Sequence, residues 1–254
     1  MSAPFRFKRF EVRQERAPMK VGTDGVLLGA WANVENARHI FQEDDACVVS
    51  TRILDVGTGT GLIALMMAQR FEGARVVGID INEGAVMDAM ENVERSEFRG
   101  RIEIRRCALQ ELSQGDDACV VCTGFDAVVC NPPYFVRSLK CPDEGRSEAR
   151  HSDTLSLREL TEVSYRVLRE GGRLSVILPY EQEGEFIDIT CGMGFEVSRV
   201  MRVRPTERGE FKRVMIEVRK GYRGEYTEEE MFIEVSRHVY SERYKEMTKD
   251  FYLK

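Results

Sequence analysis

The stretch that decides the fold is Asp55-Val-Gly-Thr-Gly-Thr-Gly61, which has an apolar run on each side. Residues 52–56 before it are predicted to form a buried strand, and residues 62–68 after it a helix. Alternate glycines allow a tight strand-to-helix turn to bring its backbone close to a ligand. The predicted cofactor-binding residues of this turn are Asp55, Gly57, Thr58, Gly59 and Gly61.

Outward from this turn, strands and helices alternate regularly along the chain. Strands are predicted at 75–79, 101–105, 125–130 and 173–178, an antiparallel hairpin at 195–203 and 211–218, and a further strand near 231–235. Helices are predicted at 26–31, 83–94, 155–168, 182–193 and from about 241. We expect Thr23 or Asp24 to cap the first helix, and Gly171-Gly172 to end the helix over 155–168. This alternation predicts an α/β fold with a mainly parallel sheet covered on both faces.

A single acidic residue, Asp80, ends the second strand of this unit, 19 residues after Gly61. A carboxylate at that place can accept hydrogen bonds from two ribose hydroxyls. Nicotinamide-binding and methyl-donor-binding folds both carry such an acid, so Asp80 does not separate them. The structural alternative is that the segment beginning at Asp80 caps the next helix.

The second chemical motif is Asn131-Pro-Pro-Tyr134, which follows the fourth strand at its carboxyl end, where ligands bind in this architecture. The two prolines fix the backbone. The side-chain carbonyl of Asn131 and the backbone carbonyl of Pro132 can then accept from one planar NH2 group, and Tyr134 offers a flat face to its ring. A base bound in this way must leave its stack. The structural alternative is a turn that merely ends the strand.

Together these motifs resemble class I S-adenosylmethionine-dependent methyltransferases. Over almost the whole chain the sequence resembles the bacterial tRNA1(Val) (adenine-37-N6)-methyltransferases. The resemblance rests on these segments: Met19-Lys-Val-Gly-Thr-Asp-Gly-Val-Leu-Leu-Gly-Ala-Trp31, Leu54-Asp-Val-Gly-Thr-Gly-Thr-Gly61, Asn131-Pro-Pro-Tyr-Phe135, Ala149-Arg-His-Ser-Asp-Thr-Leu155, Lys212-Arg-Val214, Tyr240-Ser-Glu-Arg-Tyr244 and Phe251-Tyr-Leu253.

The resemblance implies a Rossmann-like methyltransferase with a seven-stranded, mainly parallel sheet, a C-terminal antiparallel hairpin and an N-terminal extension. We expect residues 1–50 to form that extension, a hairpin and helix packed on the core, and residues 51–254 the methyltransferase domain. The implied reaction is N6-methylation of adenine 37 in one valine tRNA, catalysed by Asn131, Pro132, Pro133 and Tyr134. Because the leaving group is a neutral thioether, no general base is required.

The resemblance also implies a set of contacts to S-adenosylmethionine. Lys20, Thr23 and Asp24 are expected beside its methionine end, with Ile81 and Asn131 also in contact. One departure stands out after the third strand, where the family usually has an acid that bonds the adenine of the cofactor. Here the segment reads Cys107-Ala-Leu-Gln-Glu111, so backbone groups of Ala108 or Leu109 are expected to make this contact.

The charge distribution agrees with a polyanionic partner although the net charge is −6. Residues 1–20 carry +4 and residues 199–220 carry +5, which leaves −15 on the remainder. We expect phosphate contacts from these stretches and from the segment after the catalytic turn. The residues in question are Arg6, Lys8, Arg9, Arg137, Lys140, Arg150, Lys212 and Arg213.

The remaining composition favours a cytoplasmic protein, and the resemblance implies a monomer. The chain has 254 residues, 43% of them hydrophobic, with neither a membrane-spanning run nor the apolar core of a signal peptide. Seven cysteines at irregular spacing indicate reduced thiols. Cys119 and Cys122 lack a second pair at ligand spacing, so no metal is predicted.

Four other functions stay open at this point. A protein methyltransferase acting on a glutamine amide would use the same Asn-Pro-Pro-Tyr turn, since that amide also presents a planar NH2 group. A guanine N2-methyltransferase is another. A nicotinamide oxidoreductase would use the glycine turn and Asp80 but leave Asn131–Tyr134 without a role. A non-catalytic RNA-binding module would need neither motif.

Overall fold

The computed structural model describes residues 3–34, 50–113, 124–133 and 155–253. Its strands are β1 (Phe5–Arg6), β2 (Glu11–Val12), β3 (Arg52–Val56), β4 (Arg75–Asp80), β5 (Ile102–Arg106), β6 (Phe125–Cys130), β7 (Leu168–Pro179), β8 (Phe195–Thr206), β9 (Arg213–Lys220), β10 (Thr227–Ser236) and β11 (Val239–Tyr240). Its α-helices are α1 (Thr23–Trp31), α2 (Leu62–Arg70), α3 (Glu83–Glu94), α4 (Leu157–Val167), α5 (Glu183–Gly192) and α6 (Glu242–Thr248).

Nine strands form one sheet in the order β11-β10-β8-β9-β7-β6-β3-β4-β5, and β1 and β2 form a separate antiparallel hairpin. Strands β3 to β7 pair in parallel, and β9 runs antiparallel between β7 and β8. The predicted seven-stranded sheet with its C-terminal hairpin is therefore confirmed. Beyond it, β10 pairs in parallel with β8 and β11 turns back along β10, so the sheet is two strands wider.

Side chains alternate between the two faces of the sheet, as the strand period requires. Ile53 faces a core formed with α1, α2, α3 and α6, whereas Leu54 faces the core beneath α4 and α5. Helices cover both faces, as predicted. Phe7 and Val12 of the N-terminal hairpin region are buried in the same core as Ile53. The boundary between residues 50 and 51 stays a prediction.

Two helix ends differ from the sequence prediction. Helix α4 ends at Val167, because Leu168 is already extended and pairs with Phe125 of β6. Gly171, with φ +76°, lies instead in an irregular part of β7 before regular pairing resumes at Arg173. The N-cap of α1 is Gly22, which offers no side-chain bond.

The basic stretch in the C-terminal half is largely compensated by carboxylates, contrary to the charge count along the sequence. Glu217 is fully buried and accepts from Arg173 at 2.9 Å and from Arg199 at 3.5 Å. Arg202 bonds Glu183 and Glu228, and Arg204 bonds Glu230. These ion pairs connect strands β7 to β10 with one another and with α5, so most of these cations stabilise the folded sheet. No helix among the described residues is long and apolar enough to cross a membrane.

Candidate functional site

Strand register brings the three sequence motifs to one place. Val56 of β3 pairs with Ile79 of β4 on one side and with Cys130 of β6 on the other. The glycine turn, Asp80 and Asn131 each begin one residue after this row. Adjacent strands lie about 4.8 Å apart, so the three motifs leave the carboxyl edge within roughly 10 Å of one another. The strand order also reverses at this point, because β4 and β5 are added on one side of β3, and β6 and β7 on the other. Ligands of α/β sheets bind at such a switch point.

The glycine turn has the predicted conformation. Gly57, Gly59 and Gly61 have φ of +67°, +57° and +80°, in the left-handed region that side chains rarely adopt. Nothing lies within 4 Å of the place where a Cβ at Gly57 would stand. The turn therefore presents bare backbone to open space at the edge of the sheet, as a cofactor cradle requires.

Asp55 lies beneath this turn and is fully buried. Its Oδ2 accepts from the hydroxyl of Thr58 at 2.6 Å and from the backbone N–H of Ala64 at 3.0 Å, which ties the turn to the start of α2. Its Oδ1 is buried and has no hydrogen-bond partner in the described part of the chain. Burial, above all, raises the pKa of Asp55 to about 7.

The raised pKa gives an expected pH dependence of stability. In the unfolded chain Asp55 ionises near 3.8, whereas the folded protein holds the proton until about pH 7. The stability that this proton provides is complete below pH 3.8 and is lost as the pH rises through about 7. The loss amounts to at most about 4 kcal/mol. Asp55→Asn keeps the acceptor oxygen and cannot ionise, so urea unfolding from pH 4 to 7 should show a flatter profile.

The matched control for this measurement is Asp188→Asn, which removes an exposed carboxylate from α5. We expect Asp188→Asn to keep the slope of the unmodified protein. Equal slopes for Asp55→Asn and the unmodified protein would contradict the assignment of the slope to Asp55.

Asp80 uses both carboxylate oxygens to fix the local backbone. Oδ2 accepts from the N–H of Gly59 at 2.9 Å, and Oδ1 accepts from the N–H of Asn82 at 2.8 Å. The cap of α3 is Asn82, whose side chain accepts from Ala85, so Asp80 itself is not the cap. Each oxygen keeps a second lone pair for a hydroxyl. Beside Asp80, the apolar side chain of Ile81 is 56% exposed and offers a surface for an aromatic ring.

The end of β5 supplies an acid that spacing along the sequence did not reveal. Leu109 begins a 3-10 helix over Leu109–Ser113. Within it, Glu111 turns back so that its Oε2 accepts from the N–H of Ala108 at 3.0 Å. The N–H of Ala108 is thus already bonded. A contact between backbone groups of Ala108 or Leu109 and the adenine of the cofactor stays a prediction.

The catalytic turn begins directly at the end of β6. Cys130 is buried, and burial raises the pKa of its thiol well above the usual value. Asn131 is half-buried, Pro132 is buried and Pro133 is exposed. The chain therefore passes from the core to the surface over residues 131–133. Tyr134 lies outside the described residues.

An N-terminal strap, residues 13–17, runs along α3 toward the carboxyl edge. The N–H groups of Arg16 and Ala17 donate to Oδ2 of Asp88, each at 2.8 Å. The amide of Asn92 donates to the carbonyls of Arg13 and of Thr60, a residue of the glycine turn, at 2.8 and 2.9 Å. Asp88 and Asn92 are both about 1% exposed. They position the strap against the turn, and the sequence signal was a pair of polar residues four apart on an otherwise apolar helix face.

After the strap comes the segment from Lys20 to Asp24, which is expected beside the methionine end of the cofactor. Lys20 bonds the backbone carbonyl of Gln14, and Thr23 is the first residue of α1. Asp24 accepts from Nε of Arg213 at 2.9 Å. Arg213 begins β9 and pairs with Pro179 at the end of β7, so this ion pair anchors α1 to the carboxyl edge.

The residues expected to contact tRNA do not form one surface in the described structure. Arg9 makes two bonds of 2.9 Å with Glu97, beyond the C-terminal end of α3. Since α3 is 12 residues long and begins at the carboxyl edge, the hairpin carrying Arg9 lies about 18 Å away from that edge. Arg6 and Lys8 share this hairpin region, whereas Lys212 and Arg213 lie at the carboxyl edge. Arg137, Lys140 and Arg150 lie outside the described residues.

Comparisons with known proteins identify the family. A family model described as a methyltransferase domain matches residues 48–187. A protein from Parabacteroides distasonis named tRNA1(Val) (adenine(37)-N6)-methyltransferase is 42% identical over 98% of both chains. The chain belongs to this family. A Bacteroides fragilis protein of the same name is 41% identical over the full length of both chains. A crystal structure from Agrobacterium tumefaciens, described as a predicted O-methyltransferase, superposes with TM-score 0.62 at 20% identity, over 89% and 96% of the chains, and supports the fold.

The cofactor of this methyltransferase family is S-adenosylmethionine, and the residues at the carboxyl edge fit it. The bare turn at Gly57, the carboxylate of Asp80 and the exposed side chain of Ile81 provide a cradle, a hydroxyl acceptor and an apolar contact, respectively. The unpartnered Oδ1 of Asp55 adds a buried polar atom under the turn. Which residues contact the cofactor stays a prediction.

Proposed function

We propose that this protein transfers a methyl group from S-adenosylmethionine to N6 of adenine 37 in tRNA1(Val). The main support is the pairing of Val56 with Ile79 and Cys130, because it places the cofactor turn and the Asn131-Pro132 segment side by side. A methyl donor in the glycine turn and an acceptor nitrogen at Asn131 would be close neighbours. The names of the full-length relatives support the substrate.

The proposed chemistry is orientation of the acceptor nitrogen. The side-chain carbonyl of Asn131 and the backbone carbonyl of Pro132 accept the two N–H bonds of the adenine amino group. These bonds direct the nitrogen lone pair to one side of the ring. When bound, the cofactor supplies an electrophilic methyl group on a cationic sulfur.

Most of the rate enhancement is expected to come from this positioning. Methyl transfer leaves a cationic amino group that releases one proton to solvent, so this chain needs no catalytic base. Tyr134 is proposed to stack on the adenine, which must leave its place in the anticodon loop to reach the edge. Pro133 restricts the backbone between the hydrogen-bond acceptors, Asn131 and Pro132, and the ring of Tyr134.

Basic side chains on two parts of the surface are proposed to bind the tRNA backbone. Lys212, beside the carboxyl edge, is proposed to contact phosphates near the target, and Arg6 and Lys8 to contact a more distant part of the backbone. Phosphate contacts of this kind provide affinity without sequence information. Valine specificity, a monomeric state and a cytoplasmic location complete the proposal.

The test is transfer of labelled methyl from S-adenosylmethionine to bulk tRNA that lacks the modification, followed by nucleoside analysis. We expect N6-methyladenine at the position 3′ of a valine anticodon, and none with Asn131→Ala. Label in a protein fraction instead of tRNA would favour glutamine-amide methylation. Label at a guanine would favour the N2 reaction, and tRNA binding without transfer would favour a non-catalytic module.

A further inference from the structure

A concave site outside the cofactor cradle opens on the carboxyl edge, next to the catalytic turn. It has a volume of about 470 Å³. Its lining includes Tyr180, Glu181, Arg204, Glu210, Phe211 and Lys212. Tyr180 directly follows β7, the neighbour of the strand that ends at Cys130, and Phe211 lies two residues before β9. Since Cys130 pairs with Val176, Tyr180 lies one strand spacing across from Asn131 and three residues, roughly 10 Å, further along the strand direction.

The site presents flat groups of the kind that hold a nucleobase. The rings of Tyr180 and Phe211 have centroids 5.2 Å apart and planes inclined at 41°. The guanidinium carbon of Arg204 lies 4.3 Å from the centroid of Phe211. All three side chains are partly exposed. Aromatic rings and guanidinium planes together form the stacking surfaces on which single-stranded nucleic acids are bound.

Backbone hydrogen bonds hold these groups in place. The N–H of Tyr180 donates to the carbonyl of Lys212 at 3.2 Å, which joins the end of β7 to the start of β9. The N–H of Lys212 donates to Val203 at 3.0 Å and closes the β8–β9 turn. The stacking surface is therefore built on a connected part of the sheet edge, so a bound base would meet a preformed site.

The charges of the site favour a base over a free phosphate. Arg204 bonds Glu230, and Lys212 bonds Glu210 at 3.1 Å. Glu181 adds a further carboxylate to the lining. Because Arg204 is paired with Glu230, the stacking faces themselves offer little attraction to a phosphate and stay available to a base. Lys212, which is exposed at the edge of the site, stays the group proposed to contact a phosphate.

We propose that Tyr180, Arg204 and Phe211 form a stacking subsite for the nucleotide next to the target adenine. The inference rests on the proposed function and adds a second base-binding position beside the catalytic turn. Once the target base leaves the anticodon loop, its neighbour loses a stacking partner. The subsite replaces that partner and fixes the strand, so the target adenine stays aligned with Asn131.

The test combines a protein variant with an altered RNA. Phe211→Ala is assayed with an anticodon stem-loop of the valine tRNA, either intact or abasic at one neighbour of the target. On the intact stem-loop we expect kcat/KM to fall about 5- to 100-fold, mostly through KM. At the neighbour that stacks, the abasic change should lower the kcat/KM of the unmodified protein by a similar factor. It should have little further effect on Phe211→Ala, because the interaction is then already lost.

Two further variants separate stacking from folding and from packing. Phe211→Leu keeps apolar volume but no ring face, so it should resemble Phe211→Ala in its response to abasic RNA. Tyr222→Ala removes another partly exposed ring, over which Arg219 lies at 4.4 Å, at the opposite end of β9. This control should leave kcat/KM unchanged. Thermal unfolding identifies any variant that fails to fold, and the abasic substrates still test the unmodified protein.

The possible outcomes are distinguishable. If the unmodified protein methylates the intact stem-loop but neither abasic neighbour alters kcat/KM, the subsite is refuted while the proposed function stands. Full additivity of Phe211→Ala and each abasic change also refutes it. If only full-length tRNA receives a methyl group, the same abasic changes are placed in full-length tRNA, where an unaltered kcat/KM refutes the subsite and a loss shared with Phe211→Ala supports it. If neither RNA is methylated, the proposed function itself fails.

Discussion

Replacing Asn131 by alanine is expected to lower kcat for tRNA methylation by about 100- to 1,000-fold. The loss follows because alanine removes the side-chain carbonyl and leaves Pro132 as the sole remaining acceptor for the amino group. A singly held amino group can rotate its lone pair away from the methyl donor. Single-turnover methyl transfer, with cofactor and tRNA both saturating, measures this step directly.

The fold is expected to survive this change. Asn131 lies one residue beyond β6 and is half-buried, whereas the buried residues of that strand end at Cys130. Thermal unfolding should therefore change little. Asn131→Asp keeps carbonyl acceptors and should retain more activity than Asn131→Ala, which ties the loss to hydrogen-bond acceptance.

A matched control is available just beyond the C-terminal end of α1. Asn33 is half-buried and follows that helix, remote from the carboxyl edge. Asn33→Ala should leave single-turnover rates unchanged. If Asn131→Ala keeps a single-turnover rate within tenfold of the unmodified protein, Asn131 does not act in the chemical step. The orientation mechanism would then be wrong.

The parts of the site that follow from sequence are those fixed by neighbouring residues. A left-handed turn after a strand demands glycine, so Gly57 and Gly59 reveal both the turn and its place in the fold. Asp80 and Asn131 directly follow apolar strands, and the ends of parallel strands meet at one edge. Their convergence could be predicted without any knowledge of tertiary contacts.

The parts that sequence did not reveal depend on partners far along the chain. Asp24 and Arg213 are 189 residues apart, and nothing local indicates that they pair. The carboxylate partners of the basic stretch over 199–220 were not predicted for the same reason, because they lie on other elements. Glu111 was missed because a 3-10 turn, which spacing does not predict, returns its carboxylate to Ala108.

The second large effect is expected from Asp80→Asn, an almost isosteric change. Both oxygens of Asp80 accept from backbone N–H groups, one in the glycine turn at Gly59 and one at Asn82. An amide has one oxygen, so its NH2 group must face one of these N–H donors without a bond. We expect the Kd for S-adenosylmethionine, and for the product S-adenosylhomocysteine, to rise about 10- to 100-fold by calorimetric titration.

The effect should appear in cofactor binding and not in the chemical step. At saturating cofactor, kcat should stay near that of the unmodified protein, because Asn131 and Pro132 are unaffected. Glu83→Gln is the matched control: Glu83 is an exposed acid in the first turn of α3, and within the described residues its carboxylate bonds the exposed Arg106 alone. It should leave the Kd unchanged.

A 2′-deoxyribose analogue of the cofactor separates two roles of Asp80. If the carboxylate binds a ribose hydroxyl, the unmodified protein should bind the analogue more weakly than S-adenosylmethionine, while Asp80→Asn should discriminate less between the two. If Asp80 serves only to hold Gly59 and Asn82, the variant should lose the same factor for both ligands. A Kd within twofold of the unmodified protein for both would exclude either role, since an unpaired N–H in the cradle must cost affinity.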